Sequence, residues 1–171
     1  ELHFDPDTRF RTKAGVMSRF GKYYLGQKLG TGGSGNVYSA FQSDLGREVA
    51  LKIPKEKGSE ALRQFIRESH ITAKLNHPNI VQIFEIGQHD GVYYFSMESI
   101  RGKALHRHDL SPGEAVRAIR DSARAVHFAH KSGVLHQDIK PQNIMMDERG
   151  HVTLIDFGLA REVNKEQDDV R

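Results

Sequence analysis

Two short motifs in the last third of the chain, separated by a predicted hairpin, constrain its fold more than any other feature. They are His136-Gln137-Asp138-Ile139-Lys140-Pro141-Gln142-Asn143 and Asp156-Phe157-Gly158. Asp138 can accept or orient the proton of an attacking hydroxyl group, and Lys140 offers a positive charge to a phosphate. Asn143 and Asp156 offer the hard oxygen ligands that Mg²⁺ prefers. Either motif alone is explained as well by a polar turn, but both together, in this order and spacing, indicate phosphoryl-transfer chemistry.

A glycine-rich stretch, Gly30-Thr31-Gly32-Gly33-Ser34-Gly35-Asn36-Val37, follows a short, partly alternating segment from Tyr23 to Lys28. Glycines let main-chain N–H groups approach phosphate oxygens closely. A lone pattern of this kind is more often a flexible turn, and a βαβ dinucleotide site requires a helix directly after it. Here the residues from Val37 to Phe41 predict a second strand, so we interpret the loop as a hairpin lid.

A third predicted strand, Glu48–Ile53, carries a lysine between apolar neighbours. Ala50 and Lys52 project to the same face of such a strand. Lysine is usually solvated, but its position beyond a glycine loop makes Lys52 a candidate phosphate ligand. A helix predicted from Gly58 to Leu75 places Glu68 just behind an apolar stripe, where its carboxylate can face the sheet and pair with Lys52.

Further strands are expected around Ile80–Ile86 and Val92–Met97. A second helix is predicted from Ser111-Pro112-Gly113-Glu114, which supplies an N-cap serine, a first-turn proline and a capping-box glutamate. This helix is expected to end at Gly133. Its apolar positions fit one helical face: Val116, Ile119, Ala123, Val126 and Ala129.

The two ends of the chain have weaker patterns. The first 20 residues show no clear period, and we interpret them as a linker or loosely docked extension. Residues 161–171 are strongly charged and are interpreted as a mobile tail. Because the chain begins with glutamate rather than methionine, we expect it to be an excised piece.

Composition narrows the classes of function. The 171 residues suffice for a hydrophobic core, and 37% hydrophobic with 27% charged residues is typical of soluble globular proteins. A net charge of only +3, without a dense run of Lys or Arg, argues against a nucleic-acid partner. The absence of cysteine excludes disulfides, thiolate metal sites and thiol nucleophiles. No apolar run approaches a membrane span and no segment resembles a signal peptide, so a cytoplasmic protein is expected.

Taken in order, these motifs resemble a eukaryotic-type serine/threonine protein kinase from about Tyr23 to Arg161. The ordered set is the glycine loop, V-A-L-K, the helix glutamate, N-H-P-N, an M-E hinge, H-x-D-I-K-P-x-N and D-F-G. The style of the N-H-P-N region also resembles bacterial members. The resemblance implies an α+β fold. In it, residues 1–20 form an extension, residues 21–97 an antiparallel small lobe with one main helix, and residues 98–171 part of a helical large lobe.

The resemblance also implies ATP and Mg²⁺ as cofactors and a protein as substrate. Asp138 would be the catalytic base, aided by Lys140, by Lys52 and by its partner Glu68. Asn143 and Asp156 would hold Mg²⁺. Val37, Ala50 and Met145 would sandwich adenine, Met97 would be the gatekeeper, and Glu98 and Ile100 would offer backbone hydrogen bonds. The complete expected ATP-binding set is Gly30, Gly32, Gly33, Ser34, Gly35, Val37, Ala50, Lys52, Met97, Glu98, Ile100 and Met145.

The chain departs from the family pattern at several places. Gln137 stands where many kinases carry the arginine that binds an activation-loop phosphate, and Thr72 replaces a large apolar residue. The segment between the hinge and the capped helix is shortened. The A-P-E motif and the later large-lobe helices are missing, so we expect the isolated chain to be inactive and to self-associate through the uncovered helix that ends at Gly133. The alternatives are a nucleotide-binding or scaffolding module without transfer activity, and a small-molecule kinase of similar fold.

Overall fold

The computed structural model of the chain describes residues 9–12, 15–55 and 58–163. The chain divides into two compact units. Unit 1 comprises Glu1–Phe65 and Ile83–Ser99, and unit 2 comprises Ile66–Gln82 and Ile100–Arg171. The α+β composition predicted from the sequence is confirmed, because unit 1 is built on a large sheet and unit 2 contains a long helix with short strands.

Unit 1 is built on a seven-stranded antiparallel sheet with the spatial order β1-β2-β3-β4-β5-β7-β6. The strands are β1 (Arg9–Thr12), β2 (Gly15–Phe20), β3 (Tyr23–Thr31), β4 (Gly35–Gln42), β5 (Arg47–Pro54), β6 (Ile83–His89) and β7 (Val92–Met97). Positive φ angles of 57°, 62° and 76° at Gly21, Gly46 and Gly91 allow the tight turns after β2, β4 and β6. The strands predicted from the glycine loop and from V-A-L-K are therefore confirmed.

The interpretation of residues 15–20 as a linker was wrong. These residues form β2, which pairs with β3 through Phe20↔Tyr23 and Ser18↔Leu25. Phe20 is buried and makes an edge-to-face contact with Tyr94, with 5.4 Å between the ring centroids. The strand has no clear local signal because its pairing depends on a neighbouring strand rather than on its own propensity. The parts of the extension at residues 1–8 and 13–14 lie outside the described residues.

Helix α1 (Ser59–Ala73) confirms the helix predicted near these positions. The division between the two units falls inside it, between Phe65 and Ile66. On the unit 1 side, Phe65 is fully buried and packs against Phe95 of β7, with 5.0 Å between the ring centroids. An amphipathic helix is stabilised mainly by such packing of its apolar side rather than by its intrinsic propensity.

Unit 2 contains helix α2 (Pro112–Lys131) and five short strands. The strands are β8 (Gly102–Ala104), β9 (Val134–Leu135), β10 (Ile144–Asp147), β11 (Val152–Leu154) and β12 (Arg161–Glu162). They form a three-stranded sheet in the order β11-β10-β8 and a two-stranded ladder of β12 with β9. The predicted hairpin before Asp156 is thus confirmed as β10 and β11.

The predicted start of α2 is confirmed by its hydrogen bonds. The Ser111 hydroxyl accepts from the backbone N–H of Glu114 at 3.4 Å, and the Glu114 carboxylate accepts from the backbone N–H of Ser111 at 2.9 Å. This reciprocal pair satisfies two N–H groups that the helix itself leaves unpaired. At the other end, Gly133 has a φ of 74°, the left-handed conformation that commonly ends a helix.

The predicted apolar face of α2 is not its buried face. The buried residues are Ala118, Ser122, Ala125 and Ala129, whereas Val116 and Ile119 are each 66% exposed. Small side chains let α2 approach β9 and β11 closely, so the larger apolar residues are left on the outer side. No helix in the described ranges has both the length and the apolar content needed to cross a bilayer.

The interpretation of residues 161–171 as a mobile tail was wrong at its start. Arg161 and Glu162 form β12, and the backbone N–H of Val163 donates to the carbonyl oxygen of Gly133 at 2.8 Å. A strand of two residues gives no period that a sequence pattern can detect. The rest of the predicted tail, residues 164–171, lies outside the described residues.

Candidate active site

The glycine-rich loop of unit 1 connects β3 to β4 as a tight hairpin. The backbone N–H of Gly32 donates to the carbonyl oxygen of Gly35 at 2.9 Å. A Cβ atom on Gly35 would lie 2.5 Å from the carbonyl oxygen of Ile53, so only glycine lets β4 begin this close to β5. Because a strand rather than a helix follows the loop, the geometry excludes the βαβ dinucleotide arrangement.

Lys52 lies on β5, next to the strand that leaves the glycine loop. It is paired in register with Val37 on β4 and with Phe95 on β7. Its side chain is almost completely buried, and its Nζ lies 5.6 Å from the centroid of the Phe95 ring. Burying an ammonium group is costly unless a negative partner compensates it. The position is therefore suited to binding an anionic group such as a phosphate.

The residues expected to contact adenine are divided between the two units. Ala50 is buried on β5 and stands opposite Met97 on β7, while Val37 is half-buried on β4. These residues, the exposed Glu98 and the glycine loop all belong to unit 1. Ile100 and Met145 belong to unit 2, where Met145 is half-buried on β10. Each unit thus holds its own subset of the predicted residues.

The candidate catalytic loop of unit 2 closes on itself through Asp138. The Oδ2 atom of Asp138 accepts from Lys140 Nζ at 2.8 Å and from Asn143 Nδ2 at 2.9 Å. The same Asn143 nitrogen donates to the backbone oxygen of Asp138 at 2.9 Å, and the backbone N–H of Asn143 donates to the carbonyl of Lys140. The three predicted residues therefore form one hydrogen-bonded group.

These contacts fix the charge of Asp138. The hydrogen bond from Lys140 lowers the pKa of the Asp138 carboxyl, and the bond from Asn143 adds to this effect against a small opposing effect of burial. Asp138 is consequently ionised at neutral pH. A carboxylate with a low pKa is a weak base, so it serves best to orient a hydroxyl group and to accept its proton as the transfer proceeds.

Asp156 follows β11 with a φ of 63°, a conformation that is uncommon for a residue with a side chain. Its Oδ1 accepts from the backbone N–H of Gly158 at 3.2 Å. A Cβ atom on Gly158 would lie 3.0 Å from Asp156 Oδ1 and 3.5 Å from Oε2 of the buried Glu68. Two carboxylates therefore approach the main chain here, which explains the requirement for glycine.

The donors available in unit 2 fit Mg²⁺. Because the Asn143 amide nitrogen is engaged with Asp138, its oxygen is left to face a ligand. The backbone N–H of Ile155, the residue before Asp156, donates to the carbonyl of Asn143 at 2.9 Å, which ties the two candidate ligands together. Within the described ranges, no cluster of three His, Cys, Asp or Glu side chains could hold a metal. Mg²⁺ commonly takes one or two protein oxygens and completes its shell with phosphates and water.

A buried histidine supports the candidate catalytic loop from behind. The rings of His136 and Phe157 are packed with 4.4 Å between centroids, and both residues are buried. Burial lowers the pKa of His136, so the ring is neutral. Its Nδ1 accepts from the backbone N–H of Asp138 at 3.3 Å. Close by in sequence to Glu68, the buried hydroxyl of Thr72 is satisfied by donating to the Glu68 carbonyl at 2.8 Å.

One arrangement near the site was not predicted. Gln137 was expected to differ from the family pattern, but its partners, Leu159 and Arg161, were not foreseen. These partners are more than twenty positions away in a segment interpreted as mobile. No local pattern in the sequence signals this contact, because it depends on the pairing of β9 with β12.

Comparison with known proteins agrees with this geometry. The protein kinase domain model matches residues 23–170, and the chain therefore belongs to the protein kinase family. It is 38% identical to serine/threonine-protein kinase PrkC of Bacillus subtilis, over 82% of this chain and 23% of that protein. It is 39% identical to serine/threonine-protein kinase PknJ of Mycobacterium tuberculosis, over 84% of this chain and 26% of that protein.

A third relative, probable serine/threonine-protein kinase PknB of Bifidobacterium longum, is 35% identical over 82% of this chain and 23% of its own length. The chain thus spans about a quarter of the length of these curated relatives. All three are bacterial serine/threonine kinases by name, in agreement with the resemblance found in the sequence.

Proposed function

We propose that the protein containing this chain is an ATP- and Mg²⁺-dependent serine/threonine protein kinase. It transfers the γ-phosphate of ATP to a serine or threonine hydroxyl of a protein substrate. The observation that carries the proposal is the hydrogen-bonded group of Asp138, Lys140 and Asn143, in a chain that belongs to the protein kinase family. Since ATP is supplied inside the cell, we expect a cytoplasmic site of action.

In this mechanism, the glycine loop and Lys52 bind the phosphates of ATP. The ionised Asp138 orients the substrate hydroxyl, whose oxygen bonds to the γ-phosphorus as the bond to the β,γ-bridging oxygen breaks. The hydroxyl proton passes to Asp138, and ADP is the leaving group. Lys140 exchanges its bond with Asp138 for the transferred phosphate. When bound by Asn143 and Asp156, Mg²⁺ neutralises the developing charge.

The remaining assignments concern ATP binding. Val37, Ala50 and Met145 sandwich the adenine ring, Met97 limits the depth of its pocket, and the backbone of Glu98 and Ile100 forms hydrogen bonds to it. The ion pair of Lys52 with Glu68 stays a prediction. The burial of both side chains supports it, since buried charges are usually paired.

A second function is favoured by the exposed side of α2. Val116 and Ile119 are apolar and 66% exposed, which suits a module that binds nucleotide and a protein without phosphoryl transfer. We propose this role for the 171-residue chain when it is isolated, and phosphoryl transfer for the longer protein. The two functions are distinguished by measuring nucleotide binding and transfer on both forms.

The test of the kinase proposal is Lys52→Met in the full-length protein, with Lys55→Met as the matched control. Lys55 is an exposed lysine just beyond the end of β5. Because Lys52→Met removes a positive charge from a buried position, we expect transfer to a generic basic protein to fall at least a hundredfold, or about 3 kcal/mol. The control should retain wild-type activity. Near-normal transfer by Lys52→Met would overturn the assignment of this residue.

A further inference from the structure

Gln137 makes two contacts with the segment that follows Asp156-Phe157-Gly158. We call residues 159–163 the post-DFG segment. Both polar ends of the Gln137 amide are satisfied when its nitrogen donates to the carbonyl oxygen of Leu159 at 3.1 Å and its oxygen accepts from Arg161 Nε at 3.1 Å. Amide orientation is assigned from such hydrogen-bond networks. Gln137 thus joins the residue next to Asp138 to the post-DFG segment.

The backbone of Gln137 supports a special role for this position. Its φ is 62°, in the left-handed region that residues with a Cβ atom rarely adopt. Such a conformation persists where the surrounding structure fixes it, and it is concentrated at functional sites. Here it turns the amide away from the buried His136 and towards the exposed Arg161.

Further contacts within unit 2 hold the same segment. Arg161 and Glu162 pair with Leu135 and Val134 of β9, which directly precedes His136. The Glu162 carboxylate also accepts from Lys74 Nζ, just beyond the end of α1, at 2.6 Å. The post-DFG segment is therefore bound to the strand before the candidate catalytic loop, to Gln137 within this loop, and to the end of a helix.

We infer that Gln137 is a positioning residue, which holds the post-DFG segment beside Asp138 through neutral amide hydrogen bonds and so orders it without a phosphate. An arginine at this position would place a second guanidinium beside Arg161, and two adjacent cations require an anion between them. A neutral glutamine accepts from Arg161 and needs no such anion. This inference rests on the proposed kinase function for its effect on activity, but the ordering of the segment is independent of it.

The test compares Gln137→Ala, Arg161→Ala and the double variant in the full-length protein, with Gln142→Ala as the matched control. Gln142 is an exposed glutamine five positions away. Hydrogen exchange of the amides in residues 159–163 reports the ordering, and exchange in β10 and β11 verifies that unit 2 remains folded. Steady-state kinetics report kcat separately from the KM for ATP.

We expect each single variant to raise exchange in the post-DFG segment about fivefold and to lower kcat about five- to tenfold, with the KM for ATP within about twofold. Because both variants break the same contact, the double variant should be no worse than either single one. Gln142→Ala should match the wild type. Phosphatase treatment should leave most of the wild-type activity, whereas Gln137→Arg should become sensitive to it.

Unchanged exchange in Gln137→Ala, or additive effects in the double variant, would overturn the inference. A collapse of wild-type activity after phosphatase treatment would overturn it as well. If the wild type transfers no phosphate at all, the proposed kinase function fails, while the exchange measurements still decide whether Gln137 orders the segment.

Discussion

The two units hold their polar side chains in different ways. In unit 2, the hydrogen bonds of the candidate catalytic groups join residues only two to five positions apart, as between Lys140 and Asp138 or Asn143 and Asp138. In unit 1, a polar cluster joins residues more than sixty positions apart. This Glu85 cluster consists of Lys22, Tyr23, Glu85, Tyr94 and Ser96.

The Glu85 cluster depends on the completed sheet. The Tyr94 hydroxyl donates to Glu85 Oε1 at 2.8 Å, the Tyr23 hydroxyl donates to Ser96 Oγ at 3.1 Å, and Lys22 forms an ion pair with the Glu85 carboxylate. A Cβ atom on Gly87 would lie 2.6 Å from the Tyr94 hydroxyl, so glycine is needed beside the cluster.

Strands distant in sequence must pair before these partners meet. The comparison therefore suggests that polar changes in unit 1 affect stability, whereas polar changes in the catalytic loop of unit 2 affect mainly activity.

The largest expected effect is that of Asp138→Asn in the full-length protein. An amide cannot accept the hydroxyl proton, so we expect transfer to fall about a thousandfold, or about 4 kcal/mol in the barrier. Because the contacts of Asp138 are local, hydrogen exchange in β10 and β11 should stay unchanged. Asp109→Asn, at an exposed position in the same unit, is the control. Faster exchange throughout unit 2 in Asp138→Asn would remove the proposed contrast between the units.

The next effect concerns the stability of unit 1. Burial alone would raise the pKa of Glu85, but hydrogen bonds from Lys22 and Tyr94 lower the pKa overall. The contribution to stability is therefore complete above the ordinary pKa of 4.5 and is lost as the pH falls through the lower folded-state pKa. We expect Glu85→Gln to destabilise unit 1 by about 2 kcal/mol at pH 7 and to weaken its acid dependence.

Hydrogen exchange of β6 and β7 measures this effect at pH 7, and acid unfolding followed by circular dichroism measures the pH dependence. Glu148→Gln, an exposed carboxylate in the turn between β10 and β11, is the control and should leave both unchanged. Equal acid sensitivity in wild type and Glu85→Gln would show that the cluster does not govern unit 1.

The same difference explains what the sequence could predict. The capping box of Ser111 and Glu114, the β10–β11 hairpin and the spacing of Asp138, Lys140 and Asn143 are all local, so short patterns were sufficient. The pairing of β2 with β3 is closed by a turn, but the strand lacks a clear alternation and depends on tertiary packing.

Two further features were missed for related reasons. The buried face of α2 was predicted incorrectly because large apolar residues were expected inside, whereas close packing selects Ala118, Ala125 and Ala129. The contact of Gln137 with Arg161 joins distant segments that only the β9–β12 ladder brings together.

A smaller effect is expected on the exposed side of α2. If Val116 and Ile119 mediate self-association of the 171-residue chain, replacing both by lysine should weaken association about tenfold, because apolar area is replaced by like charges. Ala123→Lys adds a charge to an exposed position of the same helix without removing a large apolar side chain, and is the control. Light scattering over a range of concentrations measures the change. Equal association of wild type and the double variant would assign self-association to another surface.

The smallest effect tests whether the local contacts of unit 2 extend to its interior. Ser122 lies on the buried face of α2, and its hydroxyl has no hydrogen-bond partner among the described residues. Burying an unpaired hydroxyl is unfavourable, and alanine has the higher helix propensity. Ser122→Ala should therefore stabilise unit 2 by up to about 1 kcal/mol, measured by hydrogen exchange in α2. Ser132→Ala is the matched control, since the Ser132 hydroxyl donates to the Phe128 carbonyl at 3.0 Å and its removal should bring no gain. A loss of stability in Ser122→Ala would show that this hydroxyl has a partner, and unit 2 would then resemble unit 1 in depending on a buried polar contact.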